Sequence, residues 1–149
     1  MSYQTLTLET DNHVATITLN RPEMMNAFSE QLIWDMGEAT KAVKDDSQIR
    51  ILVITGEGRG FTAGADLSER DASWTDTKDA LERGYYPFIK NIIDMPKPVI
   101  GSINGAAAGI GAAVAMACDL RIMAKEAYIM SVFSNIALVP DGGLSFLLT

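Results

Sequence analysis

Two runs of small residues could present backbone N–H groups to a ligand: Gly60-Phe61-Thr62-Ala63-Gly64-Ala65-Asp66-Leu67 and Asn104-Gly105-Ala106-Ala107-Ala108-Gly109-Ile110-Gly111. Short side chains let a bound molecule approach the main chain closely. The second run opens a small-residue segment expected to be helical, and the first turn of a helix carries N–H groups with no intrahelical acceptor and a favourable dipole. Two such loops facing one another would make an oxyanion hole, in which each donor aimed at developing charge lowers a barrier by about 3–4 kcal/mol. Either run alone reads as turn glycine and packing alanine. The pair, each following a strand, points to a site.

Those loops need elements to hold them. Residues 14–19 alternate, with Ala15, Ile17 and Leu19 on one side and Val14, Thr16 and Thr18 on the other, as in a half-buried strand. Asn20-Arg21-Pro22 ends it. Ser29 can cap a helix in which Leu32, Met36, Ala39 and Val43 recur at helical spacing, with Glu30 favourably placed in its first turn. The apolar run Ile51–Ile54, closed by Gly56, reads as a strand covered on both faces. Strand, helix and buried strand together suggest a βαβ unit with a right-handed crossover.

Further on, 71–78 is polar and reads as a loop. Leu81, Tyr85, Phe88 and Ile92 keep helical spacing, but Pro87 predicts a kink or two short helices. Val99–Ile103 predicts a third strand ended by Asn104-Gly105, and 109–118 a buried helix. Leu120–Ile122 and Ala127–Met130 read as short strands. Leu144–Thr149 reads as a helix stopped in mid-turn, which is what a chain truncated at its C-terminus would show. No internal repeat or linker divides the chain, so residues 1–149 are expected to be a single domain.

Composition narrows the function classes. Of the 149 residues 48% are hydrophobic, enough for a sizeable core and too much for a disordered chain. No window reaches the roughly 20 apolar residues of a membrane span, and Met1-Ser2-Tyr3-Gln4-Thr5 has neither the charges nor the apolar stretch of a signal peptide. The one cysteine, Cys118, has no internal disulfide partner, which favours a reducing, cytoplasmic setting. A net charge of −7 argues against a nucleic-acid partner. His13 is the lone histidine and leaves little basis for a Ser–His–Asp triad. No His, Cys, Asp or Glu spacing suggests a metal.

The motifs carry a resemblance. Phe61-Thr62-Ala63-Gly64-Ala65-Asp66 is similar to the F-x-A-G-x-D signature of the crotonase, or enoyl-CoA hydratase/isomerase, superfamily. Asn104-Gly105 through Gly109-Ile110-Gly111 resembles its N-G-x-x-x-G-x-G stretch, and Asn20-Arg21-Pro22 with Asn26-Ala27 its N-R-P…N-A segment. Their order and spacing match over essentially the whole chain. The resemblance implies an α/β fold, a spiral of ββα units with a mainly parallel sheet, here without the C-terminal helical region. It implies an acyl-CoA thioester as substrate, coenzyme A arriving only as part of it, no tightly bound cofactor, and a homotrimer or dimer of trimers at full length.

By the same resemblance, the N–H groups of Ala65 and Ile110 would form the oxyanion hole. Ala63, Asp66, Leu67 and Gly109 would contact coenzyme A or the substrate, and Met25 and Ala27 would line the cleft. Asp66 also reads as a loop-fixing acceptor. The polyanionic coenzyme would require basic residues gathered locally, or phosphates left in solvent. Alignment on the motifs puts Ala113 and Phe133 where hydratases of the superfamily carry two glutamates, so simple hydration lacks its usual pair.

Asp141, in Leu138-Val139-Pro140-Asp141-Gly142-Gly143, stands where related Δ3,Δ2-enoyl-CoA isomerases and phenylacetate-pathway epoxide isomerases keep an acid/base carboxylate. By pattern alone it is a turn residue or helix cap. Apolar Phe133, Ile136 and Val139 nearby would raise its pKa. The resulting expectation is an enoyl-CoA isomerase that moves a proton between carbons through an enolate. The alternatives are a hydratase, a ring-epoxide isomerase, and a non-catalytic acyl-CoA-binding or assembly subunit. Trp74 is a candidate cover for the acyl site, and Met24 and Met25 for its greasy lining.

Overall fold

The computed structural model describes residues 3–68 and 73–148. Strands β1 (Leu6–Asp11) and β2 (Val14–Leu19) form an antiparallel hairpin. Its two-residue turn, Asn12-His13, has φ of 47° and 67°, the primed geometry that matches strand twist. β1 was not expected from the sequence, because only Leu6 of its residues is fully buried and its outer half is polar. The alternation expected in β2 is present, with Ala15, Ile17 and Leu19 buried and their neighbours half-buried.

Helix α1 (Glu30–Asp45) begins at Ser29, whose hydroxyl accepts the Leu32 N–H at 3.2 Å. It lays Leu32, Met36, Ala39 and Val43 into the core. β3 (Ile51–Gly56) then pairs parallel to β2, as the βαβ reading required. Only its Leu52/Ile54 face is buried, whereas burial on both faces was expected.

Residues 77–93 form one helical stretch. α2 (Thr77–Asp79) passes into a π-helical segment (Ala80–Tyr85) and then α3 (Tyr86–Ile93). The widened turn has the Tyr86 N–H bonded to the Leu81 carbonyl and lies directly ahead of Pro87. Pro87 has no N–H to give and would clash with the carbonyl four residues back in a regular helix. The expected break is therefore a bulge, with the helix continuous through it.

β4 (Val99–Ile103) joins β3 in parallel, and β6 (Leu120–Met123) joins β4, completing the order β1-β2-β3-β4-β6. A second, two-stranded parallel sheet pairs β5 (Ala106–Ala108) with β7 (Tyr128–Met130). β5 lies in what reads from sequence as loop. Helix α4 (Ile110–Ala117) is buried along nearly its whole length. Short α5 (Leu144–Leu147) packs by Leu144. The core runs between the sheet and α1, α3 and α4, with Phe28 stacked on Phe88 at 5.4 Å near its centre. The described helices include none long and apolar enough to cross a membrane.

Candidate active site

Asn26 does most to hold the first loop. It is fully buried at φ 55°, a left-handed conformation that Asn tolerates. Its Oδ1 accepts the Arg21 N–H at 2.9 Å, and its Nδ2 donates to the Glu57 and Gly60 carbonyls, each at 2.9 Å. Its own carbonyl accepts the Thr62 hydroxyl at 2.7 Å. From the other side Asn104 Nδ2 donates to the carbonyls of Gly56 at 2.8 Å and Gly60 at 3.2 Å. Gly105 then passes so near that a Cβ there would sit 2.1 Å from the Arg59 carbonyl oxygen.

Pinned in this way, the two loops run side by side. Thr62 and Ala107 form a parallel bridge, with Thr62 N–H donating to the Ala106 carbonyl and Ala108 N–H to the Thr62 carbonyl. Ala65 and Ile110 each stand three residues beyond that bridge. Gly64, at φ 96°, would place a Cβ 2.7 Å from the Ala108 carbonyl oxygen, so only glycine fits. On the far side Ala65 bridges Phe28 through its neighbours, since Phe28 N–H donates to Gly64 and Asp66 N–H to Phe28. In that register the N–H of Ala65 itself faces away from residue 28. The Ile110 N–H is the first of α4, behind Gly109 at φ 55°. Among the described residues no acceptor takes up either N–H. Two unpaired donors on adjoining loops are what an oxyanion requires.

The remaining loop residues divide by exposure. Ala63, Ala65 and Leu67 are exposed, Met25 is half-buried, and Ala27, Asp66 and Gly109 are buried. Asp66 Oδ2 pairs with the Arg21 guanidinium at 3.0 Å, and its Oδ1 accepts the Ser68 hydroxyl at 2.6 Å and N–H at 3.1 Å. The Ser68 hydroxyl, followed by the Arg21 guanidinium, holds this carboxyl below the usual carboxylate range against the opposing effect of burial. The same Arg21 donates to the Ala27 carbonyl, tying the 21–28 turn to the loop. Asp66 is thus committed to structure. Arg21, quoted from sequence only as part of a motif, has no local signal that its partner lies 45 residues away.

Asp141 lies in the turn before α5, which packs against the start of α4. Its half-buried carboxyl is pushed above the usual range by loss of solvent, and Oδ1 is buried with no hydrogen-bond partner. Gly142 presses on α4, where a Cβ would meet Ile110 Cδ1 at 2.5 Å and Ala113 Cβ at 2.9 Å. Ala113, one of the two positions lacking a glutamate, therefore faces the turn that carries Asp141. Phe133, the other, is buried at 5% exposure.

A cavity of about 590 Å³ opens beside Asp141, with Leu81, Tyr85, Ile89 and Ile93 along its helical wall. Val139 lies on the cavity wall although it is 80% exposed overall, and the π-helix and α3 supply most of the remaining apolar lining. The side chain of Ile136 lies outside the described residues. The cavity wall includes neither Ala65 nor Ile110, so the donors and Asp141 meet across Ile110 and Gly142 and share no single lining. Tyr85, read from sequence only as helix packing, lies on this wall, a placement that sequence reasoning missed. It is half-buried, its ring edge-on to Phe28 at 6.2 Å.

Two other expectations are corrected or reassigned. Trp74 lies 5.4 Å from Trp34, with the Arg83 guanidinium 5.4 Å above its ring, so it packs outside α1 and does not line the Asp141 cavity. Met24 is 40% exposed, while Met25 Sδ lies 3.0 Å from Arg59 Nε. His13 Nδ1 sits 2.7 Å from the Gln48 carbonyl oxygen, a turn contact far from the loops. Burial pushes the Cys118 thiol up to about 12, which suits packing. Among the described residues no three His, Cys, Asp or Glu gather as a metal site.

Comparison with known proteins gives this arrangement a family. The family model described as Enoyl-CoA hydratase/isomerase matches residues 9–149. The chain is 42% identical over 139 residues to 1,2-epoxyphenylacetyl-CoA isomerase of Escherichia coli (strain K12), covering 91% of this chain and 53% of that protein. It is 35% identical over 154 residues to trans-2-decenoyl-[acyl-carrier-protein] isomerase of Streptococcus mutans, covering 100% of this chain and 58% of that protein. Among solved structures, enoyl-CoA hydratase from Bacillus anthracis superposes with a TM-score of 0.88 at 30% identity, covering 97% of this chain and 57% of that one. The chain spans about half the length of the curated relatives it matches. With the paired loops, the parallel sheet and a match across nearly its whole length, the chain belongs to the enoyl-CoA hydratase/isomerase family.

Proposed function

We propose that the protein is an acyl-thioester isomerase that shifts a carbon–carbon double bond, with Asp141 as the proton carrier. The observation that carries this reading is the buried, unpartnered Oδ1 of Asp141 at the edge of a largely apolar cavity. A poorly solvated carboxylate is a stronger base than one in water.

The thioester oxygen of a 3-enoyl substrate would accept hydrogen bonds from the Ala65 and Ile110 N–H groups. Asp141 takes the proton from C2 as that C–H bond breaks, and the electron pair moves onto the thioester oxygen as a dienolate. The same carboxyl then returns the proton at C4, the double bond settles between C2 and C3, and no atom is gained or lost. One carboxylate suffices, which agrees with alanine and phenylalanine at 113 and 133.

Coenzyme A is the proposed thiol carrier. Arg59, exposed beside Met25, is placed to meet a phosphate in an otherwise acidic protein. The exposed apolar residues of β6 and β7 support assembly into trimers. A second reading, ring-epoxide isomerisation, is favoured by the 42%-identical relative named as a 1,2-epoxyphenylacetyl-CoA isomerase. The test is turnover of 3-enoyl-CoA, 2-enoyl-CoA and an aromatic ring-epoxide thioester by wild type and Asp141→Asn. Conjugation gained without a mass change supports double-bond isomerisation, and its loss by about 10²–10⁴-fold in the variant with thioester binding retained assigns Asp141. Addition of water would sink the isomerase reading. Binding without turnover of any substrate would leave a non-catalytic acyl-thioester carrier.

A further inference from the structure

The reading of Asp141 as proton carrier leaves open what steadies its ionised form. Its turn offers only a hydrogen bond from its own backbone, a smaller effect than the lost solvation; Oδ1 has no partner, and Gly142 and Gly143 lack side chains. The α4 surface under the turn is Ile110 and Ala113. The π-helical wall opposite is different. Tyr85 faces the same cavity as Asp141, its ring held edge-on by Phe28 at 6.2 Å and Phe88 at 6.1 Å. Its hydroxyl makes no hydrogen bond among the described residues.

We propose that Tyr85 is a positioning residue for Asp141, its hydroxyl donating to the ionised carboxylate across the cavity and aiming the proton-carrying oxygen at the substrate. The two side chains sense one another: burial first, then the charge of Asp141 and that of Asp66, raise the Tyr85 pKa, so the phenol stays a donor throughout the working range. The other titratable groups on the cavity wall are Glu82, Tyr86, Lys90 and Asp94, and they leave the role to Tyr85. Lys90 and Asp94 are paired with one another, Glu82 is paired with Lys78, and Tyr86 is 59% exposed. The widened turn also matters, because inserting a π turn ahead of Pro87 sets which side chain of this helix faces the cavity.

Tyr85→Phe tests this on the intact protein, since it removes the hydroxyl and keeps the ring edge-on to Phe28 and Phe88. Two readouts are compared, kcat/KM against pH and the titration of Asp141 followed by carbon NMR in aspartate-labelled protein. Loss of a hydrogen bond to the charged form makes ionisation harder. The variant is therefore expected to move the acid limb and the NMR midpoint upward by about one pH unit, with kcat down roughly tenfold and KM little changed. In an Asp141→Asn background Tyr85→Phe should add nothing. An unmoved NMR midpoint overturns the proposal whatever turnover shows, as does an equal loss of kcat in the Asp141→Asn background. A shifted midpoint in a protein that turns over no thioester would sustain the pair and sink the isomerase reading.

Discussion

At the residue scale, two aspartates in one site are treated in opposite ways. Asp66 is paired and hydrogen-bonded, so its folded pKa lies below the unfolded value. Its contribution to stability is present above the unfolded pKa and is lost as pH falls through the folded one. Asp66→Asn is expected to cost about 2–3 kcal/mol at neutral pH, since it removes the charge opposite the Arg21 guanidinium, and to cost little in acid; urea unfolding at both pH values checks this. Asp141 has the reverse sign, its folded pKa being raised by lost solvation. Burial of its charge opposes folding increasingly as pH rises above the unfolded pKa, and fully once pH exceeds the folded pKa. Asp141→Asn should therefore raise the melting temperature at pH 7 while losing turnover, and the gain should vanish below the unfolded pKa. A variant that is less stable at pH 7 would contradict the strain assigned to this carboxyl.

At the element scale, the site depends on how chain segments are butted together. Gly142 lies at φ 58° with Ile110 and Ala113 directly beneath it, so Gly142→Ala must displace the turn that carries Asp141. Turnover is expected to fall at least tenfold (about 1.4 kcal/mol of barrier) with the circular-dichroism spectrum unchanged. A structural contact away from the loops should behave otherwise. Lys97 Nζ donates to the Val43 carbonyl at 2.7 Å and the Asp46 carbonyl at 2.8 Å, closing the C-terminus of α1. Lys97→Met should lower stability by about 1–2 kcal/mol and leave kcat within twofold. A larger effect on kcat would mean that α1 transmits strain to the site.

At the scale of the whole molecule, the apolar surface is uneven. Leu120 is 59% exposed, Ile122 66% and Tyr128 54%, all on β6 at the sheet edge or on β7. An edge strand with apolar side chains is a surface for pairing with another chain. Sedimentation at micromolar concentration should show a mass above that of one chain, and Ile122→Glu should reduce it. A monomer throughout would remove the assembly reading.

Periodicity placed β2 and α1 and declared which face of each is buried, while apolar composition placed β3, β4 and α4 without declaring a face. It missed β1, whose outer half is polar and gains its order from pairing with β2 through the Asn12-His13 turn. It missed β5 because a strand of three alanines has no pattern to read. The resemblance named Ala65, Ile110 and Asp141, since motif spacing survives in a linear reading. Only the tertiary structure could bring Arg21 to Asp66, Gly142 onto Ile110 and Tyr85 to the Asp141 cavity, and send Trp74 away from it. Those outcomes follow from contacts between residues far apart in the chain, where burial and charge are decided by neighbours that local sequence does not contain.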